Sequence, residues 1–457
     1  MDWRQDRKRW GALLAVLASV ILIQLPQPFD PTLWEHPTPL PAMEGVLAPN
    51  ERLVTTEHLH DGTLVAPEAF AIGDGGEVYT GLGDGRVVML DQNGENPKNV
   101  FFVGAFVSPV GRAINSTTGL DYGHRLLGTC SLKANKRQLT LEDERQCGRP
   151  LGLRMRPGKK LYVLDAYHGL FELDMGNGGH ATQLINSQTD MPLALGKGLA
   201  GDGDGTADDM AREATLPMAF LNDLIFTEND MILFTDSSWK HPRALNRREI
   251  IDGGPRGRLL RYDPSSDDLR TVMCGLHFPN GLQIDQSGTK LLLVESLRFR
   301  VLSVDLQGLL STDPWAGNVS SRLAFCGETE VLPEGVTVFA EALPGFVDGM
   351  LYDKEVGGYV CGCGSKVALA FSALHLALQN PGIIRKIIGK LVPINLLESL
   401  VPKYGLVIVL GDDGSVKESM QDPTGRTAFI SAAHRHSTSG YTFLGSSQNK
   451  YLGRVRL

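Results

Sequence analysis

The sequence has few cysteines and no excess of positive charge. Six cysteines in 457 residues are too few for a disulfide-built scaffold, and none forms a C-x-x-C pair of the kind that binds zinc. The formal net charge is -8, and the Lys and Arg residues are scattered along the chain rather than clustered. Nucleic acids bind to concentrated basic surfaces, so we expect no nucleic-acid partner.

Two catalytic signatures are also missing. The chain has no G-x-S-x-G elbow and no H-E-x-x-H helix, which argues against a serine hydrolase of the α/β type and against a zincin. An acidic stretch at 201–213 resembles an EF-hand calcium loop, but the position that requires glycine holds Ala207. We therefore interpret 201–213, and a polar segment at 115–145, as inserted loops.

One apolar run lies near the N-terminus. Basic residues between positions 4 and 9 precede an uncharged stretch at 10–29, and a proline-rich segment follows at 30–50. This order predicts a cytoplasmic tail at 1–9, a signal-anchor at 10–29, a linker at 30–50 and a lumenal or extracellular remainder. The protein would be single-pass type II, in the endoplasmic reticulum, the wider endomembrane system or the plasma membrane. Because the strongly apolar part is shorter than about 20 residues, a cleaved signal peptide stays open as the alternative.

Two further features agree with a lumenal or extracellular placement. Asn115 and Asn318 each begin an Asn-x-Ser/Thr triplet and are candidate glycosylation sites. Cys130 and Cys147 bracket a polar segment, and an oxidising compartment favours a disulfide between them. The remaining cysteines are then expected to be buried thiols or a second bridge.

A pattern of a turn, a β-forming run, a loop and a second strand recurs six times after the linker. Short, glycine-punctuated strands at this spacing indicate an all-β chain with four-stranded repeats, and helical periodicity is missing from most of the intervals. We predict a six-bladed β-propeller over 51–457, closed by a strand from around 51–66 that joins the last blade. The equivalent strand positions are Val78, Tyr162, Leu233, Leu292, Tyr359 and Phe443.

A loop residue precedes each of these strand positions by ten to twelve residues and should open onto the central channel. Four of the six are oxygen donors, the type of ligand that hard cations require. Turn formation alone explains a single Asn-Gly or Asp-Gly, but not four such residues at matched offsets. With no His or Cys at these offsets, the pattern predicts a calcium site. The six residues are Glu68, Leu151, Asn222, Asn280, Asp348 and Ala432.

One segment, 371–402, has apolar residues at helical spacing with Arg385, Lys386 and Lys390 between them. It is predicted to form short helices that cap one face of the propeller. Two interpretations are open: a lid packed on the blades, or an interfacial patch that contacts the membrane holding the anchor.

Six motifs together resemble the adipocyte plasma membrane-associated protein and strictosidine-synthase-like family over nearly all of the chain beyond residue 45. They are QCGRPLGLR, LYVLDAYHGLFELD, LNDL, LFTDSSWK, FPNGLQID and PGFVDGM. The resemblance implies the architecture of paraoxonases and gluconolactonases, with an axial metal. The ligands it implies are Glu68, Asn222, Asn280, Asp348 and the backbone carbonyl of Leu151.

Two departures limit the activity that this resemblance implies. Ser431 lies near the position of the glutamate of strictosidine synthase, and the GRPLG segment lacks the lactonase histidine, so neither the condensation nor a histidine-dependent lactonase reaction is expected. His434 and His436 are weak candidates for a base. The favoured hypothesis is a calcium-dependent hydrolase of the arylesterase or lactonase type, acting on a small ester or lactone. The alternative is a non-catalytic receptor or adhesion propeller with a structural calcium ion.

Overall fold

The computed structural model describes residues 41–121, 123–136, 139–189, 217–310, 332–366, 401 and 403–456. The predicted signal-anchor at 10–29, the acidic stretch at 201–213, Asn318 and all of the segment at 371–402 except residue 401 lie outside these residues. The chain divides into two compact units, and the larger comprises residues 37–246, 255–367 and 402–457. Residues 247–254 belong to the other unit. Within the described ranges, no helix is long and apolar enough to cross a membrane.

The described part of the larger unit contains six four-stranded antiparallel sheets, which confirms the predicted six-bladed β-propeller. The first strand in the chain, β1 (Glu57–Leu59), belongs to the last blade. Blade 1 contains β2 (Phe70–Ile72), β3 (Val78–Gly81), β4 (Arg86–Leu90) and β5 (Lys98–Phe102). Blade 2 contains β6 (Pro150–Arg156), β7 (Lys160–Asp165), β8 (Gly169–Asp174) and β9 (His180–Asn186). Blade 3 contains β10 (Leu221–Phe226), β11 (Ile232–Asp236), β12 (Gly257–Asp263) and β13 (Asp268–Leu276).

The second half of the ring repeats the same plan. Blade 4 contains β14 (Pro279–Ile284), β15 (Lys290–Glu295), β16 (Arg300–Asp305) and β17 (Val336–Ala340). Blade 5 contains β18 (Gly345–Asp353), β19 (Gly358–Lys366), β20 (Gly405–Leu410) and β21 (Val416–Asp422). Blade 6 contains β22 (Ile430–Arg435), β23 (Thr442–Ser446) and β24 (Leu452–Val455), together with β1.

The six strand positions predicted from the repeat all lie in the second strand of a blade, namely β3, β7, β11, β15, β19 and β23. In β11 every residue is buried, and β3 and β23 are buried throughout as well. A strand that is covered on both faces appears in the sequence as a short continuous run of apolar and small residues. This pattern is what makes the second strands recognisable.

The apolar core is divided into layers between adjacent blades. One buried cluster joins blades 1 and 2 and includes Phe101 and Phe171, whose ring centroids are 5.4 Å apart. Further clusters join blades 2 and 3, blades 3 and 4, blades 5 and 6, and blades 6 and 1. Each blade therefore depends on its neighbours for burial of its faces.

The ring is closed by the strand β1, as the sequence predicted. β1 pairs antiparallel with β24, and Glu57 lies opposite Arg454 in this register. The N-terminal strand thus becomes the outermost strand of the last blade, and it protects an edge that would otherwise expose unpaired backbone groups.

The segment at 115–145 is largely helical, so its prediction as an inserted loop is wrong. Thr140 caps the second of its helices in a capping box with Asp143, a local signal that the polar composition obscured.

A disulfide joins Cys130 to Cys147, and Cys274 is also disulfide-bonded, whereas Cys361 and Cys363 are buried thiols. The helices between blades 1 and 2 are α1 (Val103–Val107), α2 (Pro109–Ala113), α3 (His124–Lys136) and α4 (Leu141–Cys147). Two further helices are α5 (Asn246–Asp252) and α6 (Leu306–Leu310).

Candidate metal centre

The first strand of most blades contains a β-bulge close to its start. A bulge places an extra residue in one strand and changes the direction in which nearby side chains point. In the described chain the pairing register shifts in β6, β10, β14, β18 and β22. The residues skipped by these shifts include Leu151, Asn222, Asn280, Asp348 and Ser431.

Blades 1 and 6 complete this ring of residues. Glu68 immediately precedes β2 and supplies the position from blade 1. In blade 6 the residue in the bulge is Ser431, and the predicted Ala432 is the next residue, back in register opposite Gly445. Ala432 lines the axial cavity as Ser431 does, and both residues fall within the offset of ten to twelve, so the offset alone does not distinguish them.

The residues selected from the sequence are brought together at one cavity. Glu68, Leu151, Asn222, Asn280 and Asp348 all line a space of about 50 Å³. A single water molecule needs roughly 10–15 Å³ measured in this way, so the cavity has room for a cation with a few waters. That these residues bind a cation stays a prediction.

The orientation of two asparagine side chains is fixed by neighbouring serine hydroxyls. The Nδ2 atom of Asn222 donates a hydrogen bond to Ser237 Oγ at 3.0 Å, and that hydroxyl donates to the carbonyl of Pro279 at 2.7 Å. A hydroxyl has one proton, and Ser237 donates it to the carbonyl of Pro279. The serine oxygen must therefore accept from the amide nitrogen, which identifies Nδ2 and leaves Oδ1 of Asn222 available as a ligand.

The same arrangement recurs one blade further on. Asn280 Nδ2 donates to Ser296 Oγ at 3.3 Å, and Ser296 Oγ donates to the carbonyl of Val347 at 2.6 Å. Ser431, in blade 6, donates to the backbone carbonyl of Glu68 at 2.8 Å. Each hydroxyl bonds to the following blade, so the blades hold the ring of axial residues in register.

Besides that of Asp223, two carboxylates line the cavity, those of Glu68 and Asp348. The loss of solvation inside the channel, followed by the negative charge of Glu68, raises the pKa of Asp348 well above its ordinary value. A divalent cation between the two carboxylates would favour their ionised forms. Two carboxylates, two oriented amides and a backbone carbonyl form a donor set made only of oxygen, which fits calcium.

Two arginines fix acidic groups around this centre. Arg149 is 1% exposed and forms an ion pair with Glu68. Asp223 also lines the cavity, but it accepts from Arg154 at 3.0 Å and from the backbone N–H of Leu282 at 3.0 Å. Asp223 is therefore engaged in linking blades 2, 3 and 4, whereas Arg149 holds the carboxylate of Glu68 in place.

The two histidines near the last blade have different environments. His434 lines the cavity, and burial together with the positive charge of Arg154 lowers its pKa to about 4. His436 is buried, with Nδ1 accepting from Ser439 N at 3.1 Å and Nε2 lying 2.9 Å from the carbonyl of Gly76. Both ring nitrogens of His436 are thus occupied in structural contacts, and it cannot act as a base.

The sequence interpretation missed the roles of Ser237, Ser296 and Arg149. A signal for the serines was present: each follows the acidic residue that ends a second strand, in LFTDSS and LLLVES. Blade 2 has Ala166 at this place, and its axial residue is Leu151, which has no amide to orient. Arg149 has no comparable signal, because its partner Glu68 is far away in the sequence.

Comparison with known proteins identifies relatives along the whole chain. The family described as strictosidine synthase matches residues 222–304, and the family described as strictosidine synthase-like, N-terminal matches residues 45–90. The adipocyte plasma membrane-associated protein of Bos taurus is 32% identical, with 98% of this chain and 89% of that protein covered. The protein of the same name from Homo sapiens is 31% identical, with 97% and 86% covered.

Among solved structures, a gluconolactonase from Xanthomonas campestris is similar over 89% of this chain and 91% of its own. Its sequence identity is 12% and its TM-score is 0.46. A likeness this distant carries no functional information.

Proposed function

The chain belongs to the adipocyte plasma membrane-associated protein family of strictosidine synthase-like propellers, and from its axial centre we propose that it is a calcium-dependent hydrolase of the arylesterase or lactonase type. The observation that carries this proposal is the pair of amide oxygens, on Asn222 and Asn280, that serine hydroxyls leave free beside two carboxylates. A propeller that needed only turn-forming asparagines would not require a fixed amide orientation.

In this proposal, the axial residues bind the cation and the cation activates the substrate. Glu68, Asn222, Asn280, Asp348 and the carbonyl of Leu151 would hold the cation. Calcium bound there would polarise an ester or lactone carbonyl and stabilise the negative charge that develops on attack by water. Because the ligands are fixed before substrate arrives, little reorganisation is needed at the moment of reaction.

No general base is assigned to this reaction. His434 faces the cavity in its neutral form at neutral pH, but a pKa of about 4 makes it a weak proton acceptor. Ser431 donates its proton to a backbone carbonyl, so it offers no substitute for the glutamate of strictosidine synthase. Condensation of an amine with an aldehyde is therefore not proposed.

The proposal is tested by hydrolysis of phenyl acetate and a panel of small lactones, with calcium and with chelator. We expect turnover that chelator abolishes, and we expect Asn280→Ala to lose it while melting at a temperature close to that of the parent chain. Asn93→Ala, at an exposed turn position, is the matched control and should keep full activity. A chain that shows no turnover but a large calcium-dependent rise in melting temperature would favour the alternative, a receptor or adhesion propeller with a structural ion.

We also propose that residues 10–29 anchor the protein in a membrane, with the propeller on the lumenal or extracellular side. The matched relatives are named plasma membrane-associated proteins. Asn115 is exposed at a turn, where a glycan can be accommodated. In cells, alkaline carbonate should leave the full chain in the membrane fraction and release a chain lacking residues 1–40.

Glycosylation tests the side of the membrane on which the propeller lies. Glycosidase should lower the apparent mass of the parent chain, and Asn115→Gln should reduce that change. A parent chain without glycans would count against the topology.

A further inference from the structure

A second cavity shares no lining residue with the axial cavity, but the Glu68–Arg149 ion pair connects the linings of the two. Its volume is about 170 Å³, and Arg149 forms part of its wall. An engineered protein cavity of about 150 Å³ is large enough to bind benzene. The second cavity can therefore hold a molecule with a six-membered ring or a short hydrocarbon chain.

One wall of this second cavity is apolar. The side chains that form it are at most 7% exposed and pack together as a small buried cluster of their own. It comes from the loop before β2 and from the segment that begins in α3. The residues are Val65, Ala66, Ala134 and Leu139.

The lining also contains two arginines that are almost fully buried. Arg149 is 1% exposed and Arg243 is 4% exposed, and both donate to the carbonyl oxygen of Ser447, at 3.4 and 3.2 Å. Arg243 is paired with Glu144 at 2.6 Å. Each guanidinium is thus balanced by one carboxylate, and Lys450 adds a further positive charge to the lining of the cavity.

A hydrogen-bond donor in this lining is still unused. Arg149 bonds to Ala66, Glu68 and Ser447 through its two terminal nitrogens, but its buried Nε has no partner among the described residues. A buried N–H without an acceptor is costly, and nearly all such groups in native proteins are satisfied. An acceptor oxygen from a bound molecule would complete the set.

We infer that this second cavity binds a small carboxylate with an apolar body, of the size of an aromatic or short-chain carboxylic acid. The apolar wall would cover the hydrocarbon part, and the two arginines would receive the planar carboxylate, a geometry that guanidinium groups match well. A phosphate would leave the apolar wall without a partner. The inference deepens the proposed function and rests on it in one respect: a carboxylic acid is a product of ester or lactone hydrolysis.

The test is calorimetric titration of the full chain with benzoate and hexanoate, and with neutral benzamide as the matched probe. We expect one carboxylate site per chain, with benzamide bound at least about tenfold more weakly because charge-assisted hydrogen bonds are lost. Equal binding of benzoate and benzamide, or no binding of either carboxylate, would overturn the inference.

Variants locate the site. Ala134→Leu places extra volume in the cavity and should weaken benzoate binding at least tenfold, whereas Leu132→Phe, at a position of the same helix that is 55% exposed, should leave it unchanged. The double change Arg243→Met with Glu144→Gln removes a buried pair together and avoids an unpaired charge. It should also weaken benzoate binding, and unaltered affinity in both cavity variants would contradict the assignment.

This titration also separates the inference from the proposed hydrolase. Calorimetry detects binding without turnover. A chain that binds benzoate but hydrolyses nothing would support the carboxylate site and overturn the proposed activity. A chain that hydrolyses esters but binds neither carboxylate would overturn only the inference.

Discussion

At the scale of single residues, the two axial serines determine which atom of each asparagine is presented to the channel. Ser237 and Ser296 accept from an amide because each uses its own proton on the backbone of the next blade. Without them, Asn222 and Asn280 could turn an N–H toward the channel, where it would repel a cation. Each serine hydroxyl thus determines which atom its asparagine would present to a metal ion.

Replacing one serine tests this control. Ser237→Ala removes the acceptor for Asn222 and leaves the buried carbonyl of Pro279 unpaired, which should reduce the free energy of unfolding by about 1–3 kcal/mol. We also expect calcium affinity to fall several-fold, measured by calorimetry. Ser287→Ala, which removes an exposed hydroxyl bonded to Asp285, is the control and should change neither quantity. Calcium affinity in Ser237→Ala equal to that of the parent chain would show that the amide needs no support.

His434 gives the stability of the protein a dependence on pH. Burial, then the charge of Arg154, lowers its pKa to about 4, while in the unfolded chain it would titrate near its ordinary value of 6.5. Between these pH values the unfolded state binds the extra proton, so stability is complete above pH 6.5 and is lost as the pH falls toward 4. The loss is about 1–3 kcal/mol.

Urea unfolding at pH 7 and pH 5, in chelator, measures this effect. His434→Gln should lose less stability on acidification than the parent chain, because the titrating group is gone. His180→Gln, on the exposed face of β9, should behave like the parent. An identical loss in the parent chain and in His434→Gln would mean that other groups cause the acid sensitivity.

At the scale of strands and helices, the features that depend on burial could be predicted, and those that depend on register could not. The second strands are runs of buried residues between turns, so Val78 and Leu233 were placed correctly from sequence. The bulges were not predicted, because an extra residue in a strand leaves no mark in a single sequence. In blade 6 the residue in the bulge is Ser431, and the predicted Ala432 follows it and also lines the cavity.

The segment that leads into β1 carries an apolar anchor for the ring closure. Leu53 is 0% exposed and packs in the cluster between blades 5 and 6, and its backbone N–H donates to the carbonyl of Gln421 at 3.0 Å. Leu53→Ala leaves a cavity in this layer and should reduce the free energy of unfolding by about 2–5 kcal/mol. Val46→Ala, at a side chain that is 53% exposed, should change it by less than about 0.5 kcal/mol. Equal unfolding midpoints in urea for these two variants would contradict the role of Leu53.

At the scale of the whole molecule, the axial centre exists because separate blades each contribute a residue to one point. Glu68 and Asp348 are far apart in the sequence, and only closure of the ring brings them together. The repeat made their convergence predictable, since equivalent positions in a propeller face the same axis. The pairing of Arg149 with Glu68 was not predictable, because the repeat relates the two loops but does not indicate which of their side chains form an ion pair.

The central claim is that this axial oxygen cluster binds a divalent cation, and titration of calcium into the chelator-treated full chain tests it most directly. The parent chain should bind one calcium ion per molecule, and Asp348→Asn should weaken that binding by about a hundredfold or more, because one of two carboxylate ligands is lost. Both proteins should melt at similar temperatures in chelator. A parent chain that takes up no calcium, or an Asp348→Asn chain that binds it equally well, would contradict the account.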